Sequence, residues 1–363
     1  MSNNPLIDYP ELPPFSKIQP EHVLPAVEQL VADGRARIQQ VLADGQFDYA
    51  HLVQALDEED DRLSKAFGPA GHLNAVAQNE ALRNAYNSCL PLLSEFGTEV
   101  GQNAELCAAY LALRDSDEWD SLNEAQQKDI ENTLRDFRLS GVDLPEDKKA
   151  QYMANSKRLS ELTSKFSDNT LDATQAWTRH ITDESELDGL PESARAGAAD
   201  RAKADGKDGW VLTLDAPVFI AVMSHCKNAE LRKEMYVAWT TRASDEGPQA
   251  GQFDNAAIMD EILKLRHQQA QLLGFANYGE ESLATKMARD VDEVIQFLED
   301  LAQRAKPQAE QELAELRAFA AEQGADDLNP WDIGFWSERL REQRYSISAV
   351  SYTHLTLPTN REV

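Results

Sequence analysis

The sequence predicts a mainly α-helical protein with one small β element. Apolar residues recur at the 3.6-residue spacing of an amphipathic helix through most of the chain, for example from residue 23 to residue 42. Convincing strand patterns, rich in β-branched or aromatic residues, occur only at 178–182 (TRHIT) and 210–214 (WVLTL). Since several long helical segments precede them without any alternation of strand and helix, the pattern favours a mostly α architecture.

The first part of the chain is predicted to be an extended lead-in followed by a series of helices. Residues 1–19 contain four prolines, which disfavour a helix, and Pro20 suits the first position of the helix that runs to Gly45. A second helix is expected over 49–67. Three helix breakers should then interrupt the chain: Gly68, Pro69 and Gly71. Further helices are expected over 79–97 and 104–114.

Two more helices are predicted before the β element. Ser121 and Glu124 have the S-x-x-E spacing of a capping box, so we expect a helix to begin there and to end near Gly141. Pro145 then opens a long helical segment with an apolar stripe that runs toward Trp177.

Helices are expected to continue after the strands. A polar helical piece between the two strands covers 191–207, and further helices follow at 218–224 and 229–238. A loop rich in glycine and polar residues, 241–255, leads into 258–287. There an amphipathic helix should stop at Gly274, where a left-handed residue avoids a Cβ clash, and Asn277 should cap a second helix.

The last helical segments carry a proline and an aromatic cluster. Asp290 or Asp292 should cap a helix that Pro307 kinks or splits before it ends at Gly324. A turn and a polar helix follow within 331–348.

Composition and charge exclude several classes of function. The chain has 363 residues, with 42% hydrophobic and 27% charged side chains, which is typical of a globular protein. Its net charge of −28 repels phosphate backbones and anionic headgroups, so we expect neither nucleic acid nor a membrane as a partner. The three cysteines form no CxxC pair, and no window is apolar enough to span a bilayer. These features indicate a cytoplasmic protein.

A search for catalytic or metal-binding residues yields no convincing site. None of the seven histidines is paired at i, i+4, so the HExxH zinc motif is absent, and the GxSxG, Walker A and GxGxxG motifs are also missing. His225 and Cys226 point about 100° apart on a helix, and Cys226 is better explained as a buried small hydrophobe. The acidic run 57–61 is interpreted as a solvated helix face. His267 either reaches a cleft or hydrogen-bonds a neighbour, and we favour the neighbour.

Several segments together resemble the N-terminal part of the M3 family of metallopeptidases, the thimet oligopeptidase and neurolysin family. They occur in family order and cover nearly all of residues 5–348. The similar segments are ELPPFSKIQPEHVLPAV (11–27), LRNAYNSCLPLLSEF (82–96), NTLRDFRLSGVDLP (132–145), RLSELTSKFSDNTLDAT (158–174), TTRASDEGPQAGQFDN (240–255), LRHQQAQLLGFANYGEESLATKMA (265–288) and NPWDIGFWSERL (329–340).

The resemblance implies a cytoplasmic, monomeric zinc endopeptidase that hydrolyses short peptides with a zinc-activated water. In that family two histidines of an HEFGH motif and a later glutamate hold the zinc, and the glutamate of the motif activates the water. The present sequence contains none of these residues. We therefore assign no catalytic, cofactor-binding or metal-binding residue to this chain, and we expect it to bind no zinc and to be inactive alone.

The resemblance also implies a domain division. Residues 1–19 are the lead-in, 20–176 a helical N-terminal domain, 177–217 a small β-containing insertion and 218–348 the start of the catalytic domain. Residues 349–363 break with the preceding pattern and are interpreted as a non-native tail. A truncated peptidase should expose an apolar patch. The alternative hypothesis is a non-catalytic helical module that binds peptides.

Overall fold

The computed structural model describes residues 4–7, 9, 11–77, 79–325 and 327–346. Within these residues the fold is mainly α with a single two-stranded sheet, which confirms the predicted fold class. The predicted tail, 349–363, lies outside the described residues, and its interpretation as non-native stays a prediction.

Helices dominate the order of elements along the chain. The first part contains a 3₁₀ turn at Phe15–Lys17, α1 (Pro20–Asp44), a π-helical turn (Tyr49–Gln54), α2 (Ala55–Val76), α3 (Glu80–Gly101), α4 (Ala104–Arg114), a 3₁₀ turn at Trp119–Ser121, α5 (Glu124–Leu139) and α6 (Glu146–Ala176). The second part contains β1 (Thr178–Ile181), a 3₁₀ turn at Glu184–Leu187, α7 (Glu192–Ala204), β2 (Trp210–Thr213), α8 (Ala216–His225), α9 (Ala229–Thr240), α10 (Ala256–Leu272), α11 (Tyr278–Leu283), α12 (Val291–Glu322), a 3₁₀ turn at Pro330–Asp332 and α13 (Ile333–Tyr345).

The chain forms two compact units. The first comprises Met1–Lys165 and Asp260–Arg289, and the second comprises Phe166–Met259 and Asp290–Val363. These units do not follow the domain division expected from the sequence, which remains a prediction. Among the described helices, none combines the length and the apolar character that a membrane span requires.

The first unit is built on two clusters of buried apolar side chains. One cluster fills the space among α1, α2 and α3, and the other is formed by the π-helical turn, α4 and α5. Both follow from the 3.6-residue periodicity of these helices, which places their apolar side chains on one face. Completely buried members include Val23, Leu52, Leu106, Leu113 and Ile130.

The second unit has its core around the β hairpin. Strands β1 and β2 are antiparallel, with Thr178 opposite Thr213 and Ile181 opposite Trp210. Apolar residues of the strands pack with α7, α8 and α9. The two segments predicted as strands therefore form the sheet of the described chain.

A buried ion pair joins α9 to the turn that precedes α13. The Arg232 guanidinium donates to Asp332 Oδ1 at 2.5 Å and to the Cys226 carbonyl at 2.6 Å, and its Cζ lies 4.1 Å from the centre of the Phe335 ring. The second oxygen of Asp332 accepts from the side-chain amide of Asn329 at 3.2 Å. The side chains of Arg232 and Asp332 are only 4% and 8% exposed, so removal of either charge would leave the other buried without its counter-charge.

The predicted break at Gly68, Pro69 and Gly71 is wrong, because α2 continues through all three residues. Proline cannot donate to the carbonyl four residues before it, which here belongs to Lys65. The Tyr9 hydroxyl donates to that carbonyl instead, at 2.7 Å, and so satisfies it. At Gly71 an added Cβ would lie 3.5 Å from the Tyr86 ring, so this position belongs to the helix packing.

The predicted capping box of α5 is also wrong. Asn123, not Ser121, caps the helix: its Oδ1 accepts from the amide of Gln126 at 3.0 Å, and the Gln126 side chain accepts from the amide of Asn123 at 3.0 Å. Ser121 ends the preceding turn, where its hydroxyl donates to the Glu118 carbonyl. Further along, Asp290 caps α12, which is not split at Pro307.

Candidate functional site

The first unit contains a polar cavity of about 260 Å³. It lies among α6, α10 and α11, and each of these helices contributes two lining residues. These residues are Leu159, Thr163, Arg266, Gln269, Tyr278 and Glu281. We take the cavity as the candidate site because two of its lining residues, Gln269 and Glu281, each have a buried side-chain oxygen without a hydrogen-bond partner.

The turn between α10 and α11 sets the direction of the second helix. Gly274 adopts φ +88°, and the amides of Gly274 and Phe275 donate to the carbonyls of Gln271 and Ala270 at 3.2 and 2.9 Å. This is the Schellman arrangement, in which a left-handed residue ends a helix. The predicted stop at Gly274 is confirmed.

The start of α11 is fixed by a reciprocal set of hydrogen bonds. Asn277 Oδ1 accepts from the Glu280 amide at 3.1 Å, and Glu280 Oε2 accepts from the Ala276 amide at 3.0 Å. The predicted cap at Asn277 is therefore confirmed. Because α11 has only one and a half turns, this cap determines where Tyr278 and Glu281 lie.

Gln269 lines the cavity and has a buried acceptor without a partner. The residue is only 9% exposed, and its Nε2 donates to Ser156 Oγ at 3.2 Å, whereas its Oε1 is buried and accepts no hydrogen bond. Nearby, burial raises the pKa of Tyr152, and hydrogen bonding with Gln269 lowers it in part. The Tyr152 hydroxyl itself donates to the Leu139 carbonyl at 3.1 Å.

Glu281 presents a second unpaired acceptor. Its Oε2 is buried and accepts no hydrogen bond. Burial raises the pKa of this carboxyl.

Arg266 contributes the positive charge of the cavity. Its Cζ lies 4.9 Å from the centre of the Tyr278 ring, which is a cation–π contact. Among the described residues, no hydrogen bond or ion pair to this guanidinium is formed. The residues that line the cavity therefore include a cation and two buried oxygen acceptors that do not satisfy one another.

A second depression, of about 490 Å³, lies between α12 and α13 in the second unit. Leucine side chains from both helices make up much of its wall, and its arginines are paired, Arg344 with Glu315 and Arg341 with Glu338. Because these charges have partners and the wall is largely apolar, we interpret this depression as helix packing.

The sequence-based interpretations of isolated residues have mixed outcomes. Cys226 is fully buried in the second unit, and burial raises the pKa of its thiol. Its Sγ donates to the Glu186 carbonyl at 3.4 Å. The interpretation of Cys226 as a buried small hydrophobe is therefore confirmed. His225 is partly buried, and burial lowers its pKa. His267 is exposed and does not line the cavity, and it makes no hydrogen bond with any residue that the structure describes, so the favoured hydrogen bond to a neighbour is not found there. The acidic run of α2 is largely exposed, as expected, with Asp61 paired to Lys65.

No side chains arranged for metal binding are found in the described part of the chain. No group of three or more His, Cys, Asp or Glu residues there could hold a metal ion. The residues present therefore do not fit the zinc site that the resemblance implies. The absence of catalytic and metal-binding residues from the chain as a whole stays a prediction.

Sequence reasoning missed the cavity residues Gln269 and Glu281. Neither belongs to a motif, and their surroundings come from distant parts of the chain, since Ser156 lies 113 residues before Gln269. The Gly274 and Asn277 signals and the family resemblance of 265–288 pointed to this segment, but none of them singled out these two side chains.

Comparison with known proteins gives matches along nearly the whole chain. Residues 222–360 match the model of peptidase family M3, and residues 27–149 match the N-terminal domain of neurolysin and thimet oligopeptidase. The first match includes most of the segment predicted to be a non-native tail.

Individual relatives agree with the family matches. The chain is 53% identical over 347 residues to Oligopeptidase A of Salmonella typhimurium and equally to that of Escherichia coli, which covers 95% of this chain and 51% of each relative. It is 39% identical over 358 residues to a probable cytosolic oligopeptidase A of Arabidopsis thaliana, covering 96% of this chain and 50% of that protein. The chain thus spans about half the length of the curated relatives it matches. On these similarities, the chain resembles oligopeptidase A and the peptidases of family M3.

Proposed function

We propose that this chain is the N-terminal part of a zinc metallo-oligopeptidase that hydrolyses short peptides. The observation that carries the proposal is 53% identity to Oligopeptidase A, spread over 347 residues rather than confined to one motif. At this level both the fold and the chemistry of the relative are the natural first hypothesis.

The proposed role of the chain is structural. The described residues offer no ligand set for zinc, so the metal would have to be held by residues other than these. We assign to this chain one helical wall of the peptide-binding channel and the start of the catalytic domain, and no step of the hydrolysis.

An exposed apolar face on α12 supports this role. Ile295, Leu298 and Leu301 recur at helical spacing and are 47%, 55% and 54% exposed, and Phe297 beside them is 66% exposed. Monomeric soluble proteins rarely leave such a face uncovered, so we infer that further polypeptide packs on it in the working enzyme. The exposed apolar patch expected from the sequence is thus present.

The proposed location is the cytoplasm. One of the plant relatives is named as cytosolic, and the acidic surface of this chain suits a soluble environment. Short peptides are the proposed substrates, in keeping with the name of the relatives.

A chimera tests the proposal. Residues 1–348 of this chain would replace the matching first half of Oligopeptidase A from Escherichia coli, and cleavage of a quenched fluorescent peptide would be measured with and without a metal chelator. We expect cleavage that the chelator abolishes, whereas the second half of the relative alone should be inactive. A chimera that folds, as judged by a cooperative melting transition, yet cleaves nothing would contradict the proposal.

The same assay separates the peptidase from a non-catalytic peptide-binding module. Binding of a labelled short peptide to the folded chain, together with an inactive folded chimera, would favour the module. A chimera with chelator-sensitive turnover would favour the peptidase.

A further inference from the structure

Helix α12 is covered along only part of its length. Its last turns bury Leu316, Phe319 and Ala320, and the Phe319 ring packs edge-on against Trp336 of α13 with 6.1 Å between the ring centres. By contrast, every residue from 295 to 312 is exposed. We call residues 295–312 the uncovered segment, which makes up about five turns of helix.

The uncovered segment has an apolar face that continues the buried face of α12. Residues seven apart lie on nearly the same side of an α-helix, because two turns take about 7.2 residues. One row with this spacing consists of Ile295, Ala302, Ala309 and the buried Leu316. Leu298 and Ala305 lie beside this row. The face that α13 covers at the end of the helix therefore runs back along the uncovered segment, where no described residue buries it.

The uncovered segment needs packing to be stable as a helix. Pro307 lies within it and cannot donate to the carbonyl of Gln303, the residue four positions earlier. The side-chain pairs along the segment, such as Asp300 with Arg304 at 2.9 Å, each supply only a fraction of what a proline costs a helix interior. Since helices of this length draw most of their stability from tertiary packing, the apolar face is expected to have a partner.

Charge disfavours a second copy of this chain as that partner. Each copy carries a net charge of −28, so two copies repel one another. The uncovered segment is also acidic near both ends, with Glu299 and Asp300 near the first and Glu310 and Glu312 near the second. Two such segments would therefore bring acidic side chains together in either orientation.

The relatives indicate a different partner. The match to Oligopeptidase A of Escherichia coli covers 51% of that protein, and the rest of it has no match in this chain. The alanines at 302, 305 and 309 keep the middle of the apolar face low, so that a second helix can approach closely. A helix from the unmatched part of such a protein fits this face in size and polarity.

We propose that the uncovered segment is a docking helix for the polypeptide equivalent to the second half of oligopeptidase A, and that this polypeptide associates with the chain without a covalent link. A helix of the partner packs along Ile295, Leu298, Ala302, Ala305 and Ala309. This inference rests on the proposed function and adds to it the surface used, the helical nature of the occupant and association between separate chains.

The test is co-production of the tagged 363-residue chain with the second half of Oligopeptidase A of Escherichia coli as a separate polypeptide. The tagged chain is captured, and the amount of partner that comes with it is measured by mass spectrometry. We expect the two polypeptides in equal amounts, and we expect the tagged chain alone to sediment as a monomer.

Variants place the interaction on the apolar face. Leu298→Gln and Ala305→Gln put a polar side chain on that face and should reduce the captured partner at least about tenfold. Leucine and glutamine have similar helix propensities, so Leu298→Gln leaves the helix itself intact. The matched control is Gln303→Ala on the opposite, polar face, which should capture as much partner as the unchanged chain.

Hydrogen exchange measures docking at the helix directly. Amides of the uncovered segment should exchange at least about tenfold more slowly in the captured complex than in the chain alone, because docking suppresses local opening. Amides of α1, whose apolar face is already buried within the chain, should exchange equally in both.

Several results would overturn the proposal. Leu298→Gln that captures as much partner as the unchanged chain would remove the apolar face from the interface. A monomer–dimer equilibrium of the chain alone that Leu298→Gln abolishes would assign the face to a second copy. Should the separate second half be insoluble, the chimera described above takes its place, and a folded chimera whose uncovered segment exchanges as fast as in the chain alone would equally contradict docking.

The chimera also separates this proposal from the proposed function. Chelator-sensitive cleavage by a chimera whose uncovered segment is unprotected would uphold the peptidase and overturn the docking helix. A folded chimera that is inactive but protects the uncovered segment would contradict the peptidase and support the docking helix.

Discussion

The buried polar groups around Arg232 and those around Gln269 differ in one respect. In the second unit, Arg232 and Asp332 satisfy each other's charge. Arg232 also donates to the Cys226 carbonyl and Asp332 accepts from Asn329, although Arg232 Nε has no partner in the described chain. In the first unit, Gln269 Oε1 has no partner among the described residues, and no opposite charge is paired with it. A paired buried charge holds elements together, whereas a buried acceptor without a donor costs stability.

The largest effect is expected at the paired site. Replacement Asp332→Ala leaves the Arg232 guanidinium buried at 4% exposure without its counter-charge, which should lower the free energy of unfolding by about 3–5 kcal/mol. Urea denaturation followed by circular dichroism measures this loss.

An exposed ion pair provides the control for that prediction. Asp300 pairs with Arg304 on α12 at 2.9 Å, and both side chains are more than half exposed. Asp300→Ala should cost about 0–1 kcal/mol. If Asp332→Ala and Asp300→Ala lowered the free energy of unfolding by the same amount, the Arg232–Asp332 pair would not be a structural centre.

A smaller effect is expected where α11 begins. Asn277→Ala removes the acceptor for the Glu280 amide and should cost about 1 kcal/mol of stability. Unchanged stability would show that the cap does not hold the start of the helix.

The smallest effect concerns Glu281 and depends on pH. Burial raises the pKa of this carboxyl in the folded chain, so its contribution to stability is present at acid pH and is lost as the pH rises through the raised pKa. Glu281→Gln removes that loss and should raise stability at about pH 8 by up to about 1 kcal/mol, with little change near about pH 4.

The pH series has its own control. Glu28 is exposed on α1, so Glu28→Gln, which also replaces one carboxyl by an amide, should change the melting temperature little. A stabilisation by Glu281→Gln that is larger at acid pH would contradict the sign of this prediction.

Local signals in the sequence predict the fold well. Gly274 and Asn277 act through backbone atoms within a few residues, and the structure confirms both. The two strand segments are likewise recognisable from their own composition and pair as a hairpin.

Long-range compensation explains what the sequence does not reveal. In the sequence Pro69 predicts a helix break, because it leaves the Lys65 carbonyl without its helical donor. The Tyr9 hydroxyl, which lies 56 residues from Lys65 along the chain, donates to that carbonyl instead. The cavity depends in the same way on α6 meeting α10 and α11, so Gln269 and Glu281 carry no recognisable signal of their own. Ser121 misleads for a different reason, because Asn123 offers a competing cap two residues later.

The central proposal is that this chain forms part of a peptidase scaffold and has no catalytic centre of its own. It is tested most directly by incubating the 363-residue chain with a quenched fluorescent short peptide, with added zinc and with a chelator in parallel. We expect no chelator-sensitive cleavage under either condition. Turnover that the chelator abolishes and zinc restores would contradict the claim.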